Sequence, residues 1–186
     1  MASSKYQENL IQTVIDKSEG NTWDEAVQEW TIVDCAEDRS LSRSCVCGKE
    51  QIKYLYRLYN RTTNQWLFPI GSSCIKKFGR KDMEDQTSVT EAMFKLLHAV
   101  GNHQYLQLSA DLFSRKLLKV LFEKGAFRAT PYNDYNPKND YEFLLKMFNK
   151  RNKASISKAQ QKKITAILLN SVKPFLEQKL KDQIMS

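Results

Sequence analysis

Residues 45–78 read CVCGKEQIKYLYRLYNRTTNQWLFPIGSSCIKKF, and the fold turns on this stretch. At its head, Cys45-Val46-Cys47-Gly48 sets two thiols one residue apart. The glycine that follows lets the backbone turn tightly enough for amide groups to face the sulfurs. Such a turn is a zinc knuckle. The run from Ile52 to Tyr59 alternates as a strand does, Asn60 to Asn64 is turn-forming, and Gln65 to Ile70 reads as the returning strand of a hairpin. Gly71-Ser72-Ser73 then supplies turn and cap residues, so Cys74 is expected in the first turn of a short helix. Unpaired amides and the positive end of the helix dipole favour a thiolate at that position.

Upstream, Trp30 to Asp34 reads as a strand that delivers Cys35 to the same place. Cys35, Cys45, Cys47 and Cys74 are the whole thiol content, spaced C-x9-C-x-C-x26-C. Four soft ligands suit tetrahedral zinc, so all four are expected to hold a structural Zn2+. The fold class expected is α+β, a treble-clef-like zinc module with a β-hairpin packed on a mainly helical remainder. Treble clefs usually carry C-x2-C pairs at both ends, whereas this chain has a C-x-C and two lone cysteines. The alternatives are four reduced, buried thiols or an iron–sulfur site. Disulfides are disfavoured, because Cys45 and Cys47 are too close to bridge comfortably and nothing points to an oxidising compartment. His98 and His103 lie well beyond the module and read as ordinary surface or core histidines.

A chain of 186 residues with 41% hydrophobic residues has enough apolar content for a real core. The reading divides it into N-terminal helices (1–29), the zinc-binding hairpin module (30–81) and a helical domain (82–186) that forms one compact unit with the module. The first residues carry no basic and apolar signal segment and no run is long enough to span a bilayer, so a cytoplasmic location and no membrane partner are expected. Richness in Lys, Asn and Gln fits a low-GC bacterium or its phages. Leu10, Ile11, Val14 and Ile15 make an apolar stripe on a first helix. Thr22-Trp23-Asp24-Glu25 and Ser88-Val89-Thr90-Glu91 are capping-box signatures that each open a helix. Further helices are expected over 109–124, with Gly125 as the C-terminal cap, over 140–150, and from Ser157 onward with a bend near Pro174. The loop 130–139 has spaced Asp and Asn residues, but a lysine at the fifth ligand position and a missing glycine exclude a calcium loop.

Charge is unevenly spread. Residues 1–42 carry three Lys/Arg against nine Asp/Glu, and residues 82–142 carry seven against nine. Residues 43–81 carry nine basic residues against Glu50 alone, and residues 143–186 carry ten against Glu177 and Asp182. Along the first hairpin strand Lys53 and Arg57 share a face with Leu55 and Tyr59, joined by Arg61 in the turn, while Ile52, Tyr54, Tyr56 and Leu58 point to the core. Lys76, Lys77, Arg80 and Lys81 extend this basic face from the helix that follows. A basic face carrying tyrosine suits single-stranded nucleic acid and equally an acidic protein groove, and it can also be plain solvated surface.

Catalytic equipment is sparse. The H-x-E and P-C-x-x-C pair of zinc deaminases and the H-E-x-x-H of zinc proteases are missing, and four sulfur ligands would close a metal to water. A non-enzymatic protein is therefore expected, with no catalytic residues.

The run Cys45-x-Cys47-Gly48, Ile52-x-Tyr54, Asn60-Arg61-Thr62-Thr63 and Pro69-Ile70-Gly71-Ser72-Ser73-Cys74-Ile75 with Phe78 resembles small zinc-binding proteins of phages and prophages of Gram-positive bacteria. Over about residues 30–79 it is similar to the zinc-containing type II anti-CRISPR proteins of streptococcal prophages. That resemblance implies a protein that binds a host type II CRISPR nuclease and blocks loading of guide or target DNA. It further implies that zinc stabilises the scaffold while the inhibitory surface lies elsewhere, with the acidic segments as candidates for the nuclease's basic channels. The positive net charge of this chain departs from acidic DNA mimics and favours docking on a non-catalytic lobe. The competing reading is a nucleic-acid-binding accessory protein of phage replication, recombination or transcription, whose basic module grips phosphates.

Overall fold

Trp30–Asp38 forms the strand (β1) on which the first half of the chain is assembled. The computed structural model describes residues 4–102 and 107–185. His103 falls outside the described residues. The fold is mixed, with one four-stranded sheet and a helical region. It divides into two units, one within residues 1–88 together with the C-terminal segment from Asp182, the other within 89–181. The chain passes from the first unit to the second between Ser88 and Val89, within the helix over 81–101.

In the first unit, β1 pairs antiparallel with β2 (Tyr54–Asn60), and β2 with β3 (Trp66–Ile70). The hairpin is as expected. Its turn is tied by Asn60, whose Oδ1 accepts from the Thr62 and Thr63 amides while Nδ2 donates to Glu29 at 2.7 Å. A short strand near the C-terminus, β4 (Ile184–Met185), runs parallel to β1, giving the order β3-β2-β1-β4. No local signal in the sequence announces that long-range pairing.

Helix α1 (Lys5–Asp16) buries Leu10 and Val14 completely. Thr22 caps the one-turn helix α2 (Trp23–Ala26) with the capping box expected. Trp30 is wholly buried and its indole N–H donates to Ser18 Oγ at 3.0 Å. The core face of β2 is as expected, with Tyr56 and Leu58 inaccessible, but Leu55 on the opposite face is also inaccessible. It is therefore not part of an exposed basic surface. Tyr56 donates its hydroxyl to the Thr87 carbonyl at 3.1 Å, which ties the sheet to the start of α4 (Lys81–Gly101). That helix corrects the second capping box: Ser88 sits mid-helix and caps nothing, because the helix already begins seven residues earlier.

The loop after β1 is organised by one carboxylate. Asp38 accepts from the amides of Ser40, Ser42 and Arg43 and from both serine hydroxyls. The Ser40 hydroxyl leads these donors in holding the Asp38 carboxyl below its ordinary value against the opposing effect of burial.

In the second unit, α5 (Arg115–Glu123) starts later than the apolar pattern implied, because Ser114 turns its hydroxyl onto the Leu117 amide as N-cap. Gly125, at φ +80, ends it as expected. Helix α6 (Pro137–Asn149) packs against α5, with Phe122 and Tyr141 stacked at 4.8 Å. The loop 130–136 is a 3-10 turn around buried Asn133, which donates to the Arg128 carbonyl and to Asp140. The last helix expected is three pieces: α7 (Lys158–Ile167), capped by Ser157, a π-helical segment Leu168–Val172, and α8 (Lys173–Leu180) with Pro174 in its first turn. A proline has no N–H for the preceding turn, and the wider π turn absorbs that break.

Two outcomes test this packing. Leu58→Ala removes a wholly buried side chain between two strands and should cost about 2–5 kcal/mol in denaturant unfolding. A carboxyl depressed in the folded state stabilises fully above its unfolded value of about 3.9 and stops doing so as pH falls through the folded value. The melting temperature should therefore drop on acidification below about pH 4. Asp38→Asn should lower it at neutral pH and flatten part of that acid slope.

Candidate metal centre

The centre is built from two pieces of backbone that meet at the end of β3. The first is the knuckle. Cys45 N–H donates to Lys49 O at 2.8 Å and Gly48 N–H to Cys45 O at 2.8 Å, with Gly48 at φ +92, a value that glycine adopts without the Cβ penalty. The second is α3 (Ser72–Lys76), entered through Gly71 and carrying Cys74. Val46 N–H donates to Pro69 O at 2.9 Å, which fastens the knuckle onto β3. Proline belongs on such an edge strand because it has no N–H to offer a ladder. Asn9 of α1 braces the knuckle from the other side, its amide donating to Cys47 O at 3.1 Å.

Cys45, Cys47 and Cys74 are brought together, their sulfurs all within 4.8 Å of one another. The Cys74 sulfur stands 3.6 Å from that of Cys45 and 3.4 Å from that of Cys47. None of the three is more than 5% exposed, and no cysteine is in a disulfide. Gly71 N–H donates to the Cys45 sulfur at 3.3 Å. The Cys74 thiol, with the Cys47 and Gly71 amides behind it, holds the Cys45 thiol down to about 5 although burial opposes ionisation. Cys74 is pushed up by its hydrogen bond to Cys45, by burial and by the Cys45 negative charge. One sulfur thus ionises at the expense of its neighbour. A cluster of this kind can coordinate a metal ion, whose positive charge lets all three become thiolates.

Cys35 does not join them. The expected strand ended at Asp34 and delivered Cys35 from its tip, but β1 continues to Asp38, so Cys35 is held mid-strand opposite Tyr56. In that register Tyr56 faces Ile70, the last residue of β3. Two strand spacings, roughly 10 Å, therefore separate the Cys35 backbone from the segment that leads to Cys74. Among the described residues no fourth His, Cys, Asp or Glu completes the group. The sulfurs that lie within 4.8 Å of one another are thus three, where four were expected.

The residues expected to make a basic face are dispersed. Lys53 pairs with buried Glu37 at 3.2 Å. Arg57 lies 3.8 Å from Asp34 and 4.7 Å from the centre of the Phe68 ring. Arg61 is exposed in the hairpin turn, Lys76 is exposed at the end of α3, and Lys77 is exposed as its C-cap. Lys81 is exposed and pairs with Asp85. Arg80 is not a surface group: it is spent on the Val27 and Trp30 carbonyls and on Asp82, which fixes the start of α4 to β1. Sequence reasoning missed two things here. Asn9 carried no signal, since its role depends on where α1 lands. Trp66 and Phe68 did carry one, because they flank buried Leu67 on the strand and alternate outward from it, whereas Ile70 reaches the core through an irregularity in the β2–β3 register.

Comparison with family models, with curated proteins and with solved structures returns no match. No helix among the described residues is long and apolar enough to cross a membrane.

The correction at Cys35 has a direct check. Cys47→Ser should lose bound metal and melt lower, whereas Cys35→Ser should keep the metal content of the parent protein. Elemental analysis of the three purified proteins, beside thermal melts, reads both.

Proposed function

We propose that the protein is a non-enzymatic binding protein in which Cys45, Cys47 and Cys74 hold a structural zinc ion, and that its partner is an RNA-guided type II CRISPR nuclease that it inhibits. The observation that carries the metal reading is the triangle of three buried sulfurs. Zinc–sulfur bonds of about 2.3 Å put the sulfurs of a tetrahedral site about 3.8 Å apart. The separations of 3.6 and 3.4 Å need open by only a few tenths of an ångström to admit the ion. Soft thiolates select zinc over calcium or magnesium. Three protein ligands with a fourth place left to water is also the ligand count of catalytic zinc sites. Near-complete burial of the sulfurs, with the Gly71 amide spent on one of them, supports the structural role instead.

The inhibitor reading rests on the motif pattern of residues 30–79 alone, which no comparison with known proteins matches. Docking through acidic mimicry of DNA is poorly supported, since Glu37 and Asp38 of the acidic N-terminal segment are engaged by Lys53 and the 40–43 loop.

The test combines metal analysis with a reconstituted cleavage assay. The purified chain should contain one zinc per molecule, and chelation should lower the melting temperature by about 10 °C or more, reversed by added zinc. Incubation with the nuclease before guide is added should suppress cleavage more than incubation after target is bound. Full cleavage at molar excess of the metal-loaded protein would overturn the inhibitor reading and leave the zinc site standing. A protein free of zinc and unmoved by chelation would overturn the metal reading.

A further inference from the structure

On the outward face of the hairpin, Trp66 and Tyr59 are direct cross-strand partners with ring centres 4.8 Å apart, tilted at 47°. Two residues along β3, Phe68 lies beneath the Arg57 guanidinium at 4.7 Å. Trp66 is 45% exposed and Phe68 40%, although both could have been polar on a solvated strand face. Lys17 is anchored beside them, its ammonium donating to the Trp66 carbonyl at 2.9 Å. Arg61 is exposed in the turn that joins the two strands. Three aromatic rings and an arginine therefore share one open sheet surface, with Lys17 and Arg61 at its edge.

We propose that this face binds single-stranded nucleic acid, with bases stacked on Trp66 and Phe68 and with Arg57 and Arg61 on the phosphates. Every base has a π face, so rings exposed on a rigid sheet give sequence-tolerant stacking. Lys17, Arg57 and Arg61 supply the charge complementary to phosphate at this face. Asp34 is the carboxylate that stands against this. Its contact with Arg57 is long at 3.8 Å and both side chains are close to half exposed, a geometry in which an ion pair contributes little and yields readily to phosphate. A protein partner would bury the same rings, but it would not require the Lys17, Arg57 and Arg61 cations around them. The zinc clasp holds β3 in place, so the inference rests on that part of the reading above. It does not need the inhibitor reading.

The experiment is a fluorescence anisotropy titration of labelled dT and U oligonucleotides of about 16 nucleotides, the upper end of what one such face covers. The zinc-loaded full chain is used, with a duplex of equal length as control. Single strands should bind more tightly than the duplex. Trp66→Ala and Phe68→Ala should each weaken binding roughly 5- to 100-fold. Arg57→Gln and Arg61→Gln should each reduce the salt dependence by about 0.7 in log–log slope. Metal content and circular dichroism establish that each variant is folded, and the exposed Tyr132→Ala in the second unit serves as a surface control. No single-strand binding at low salt up to about 0.1 mM protein overturns the inference. So does binding that Trp66→Ala and Phe68→Ala leave intact, or a pair of variants that lose only inhibition of the nuclease. Zinc content and cleavage, read on the same preparations, separate failure of this inference from failure of the proposed function.

Discussion

Three buried sulfurs sharing one small space is the constraint on which the first unit depends. Cys45 and Cys47 belong to the knuckle and Cys74 to α3, so whatever holds the three together closes a loop that contains the entire hairpin. The supporting contacts all converge there: the knuckle amide on Pro69, the Gly71 amide on Cys45, and Asn9 reaching over from α1. Left to themselves the thiols are mutually antagonistic, because the charge on Cys45 raises the cost of charging Cys74. A divalent ion bound there would turn that repulsion into a bond network, and its binding would become part of the folding free energy.

The electrostatic pattern takes on a different meaning once strands are paired. The chain looks like an acidic N-terminal segment followed by a basic module. Pairing β1 with β2 folds one onto the other, so that Asp34 meets Arg57 and Glu37 meets Lys53. Glu29 is drawn inward as well. Burial disfavours its charge, but Asn60 and the Glu19 and Gly20 amides outweigh that and keep its carboxyl below the ordinary value. Asp38 spends its oxygens on the loop into the knuckle. Much of the apparent acidic surface is thus internal neutralisation, and what remains outward on the hairpin is aromatic and basic.

Arg80 makes the same point from the other sign. It stands in a basic run and reads as part of a patch, yet its guanidinium crosses to the carbonyls of Val27 and Trp30 and organises the joint between β1 and α4. Five donors in a planar fork allow one arginine to satisfy several acceptors at once, a role that the neighbouring lysines could not take over.

The elements that local chemistry specifies were legible. The knuckle with Gly48, the hairpin with its Asn60 turn, the Thr22 capping box and the Gly125 stop each follow from a few adjacent residues whose conformational preferences agree. All four cysteines were assigned to a common site on spacing alone, and three of them cluster. The tertiary structure decided what spacing cannot express. Strand length placed Cys35 mid-strand opposite Tyr56, since a strand that runs to Asp38 holds its middle residues in register with a partner. An earlier helix start made Ser88 an ordinary mid-helix residue. The pairing of Ile184 and Met185 with β1, and the outward stacking of Trp66 and Phe68 beside Arg57, depend on which chain segments lie side by side. Local propensity acts over a turn or two of chain, whereas register and burial are settled by contacts between residues far apart in sequence.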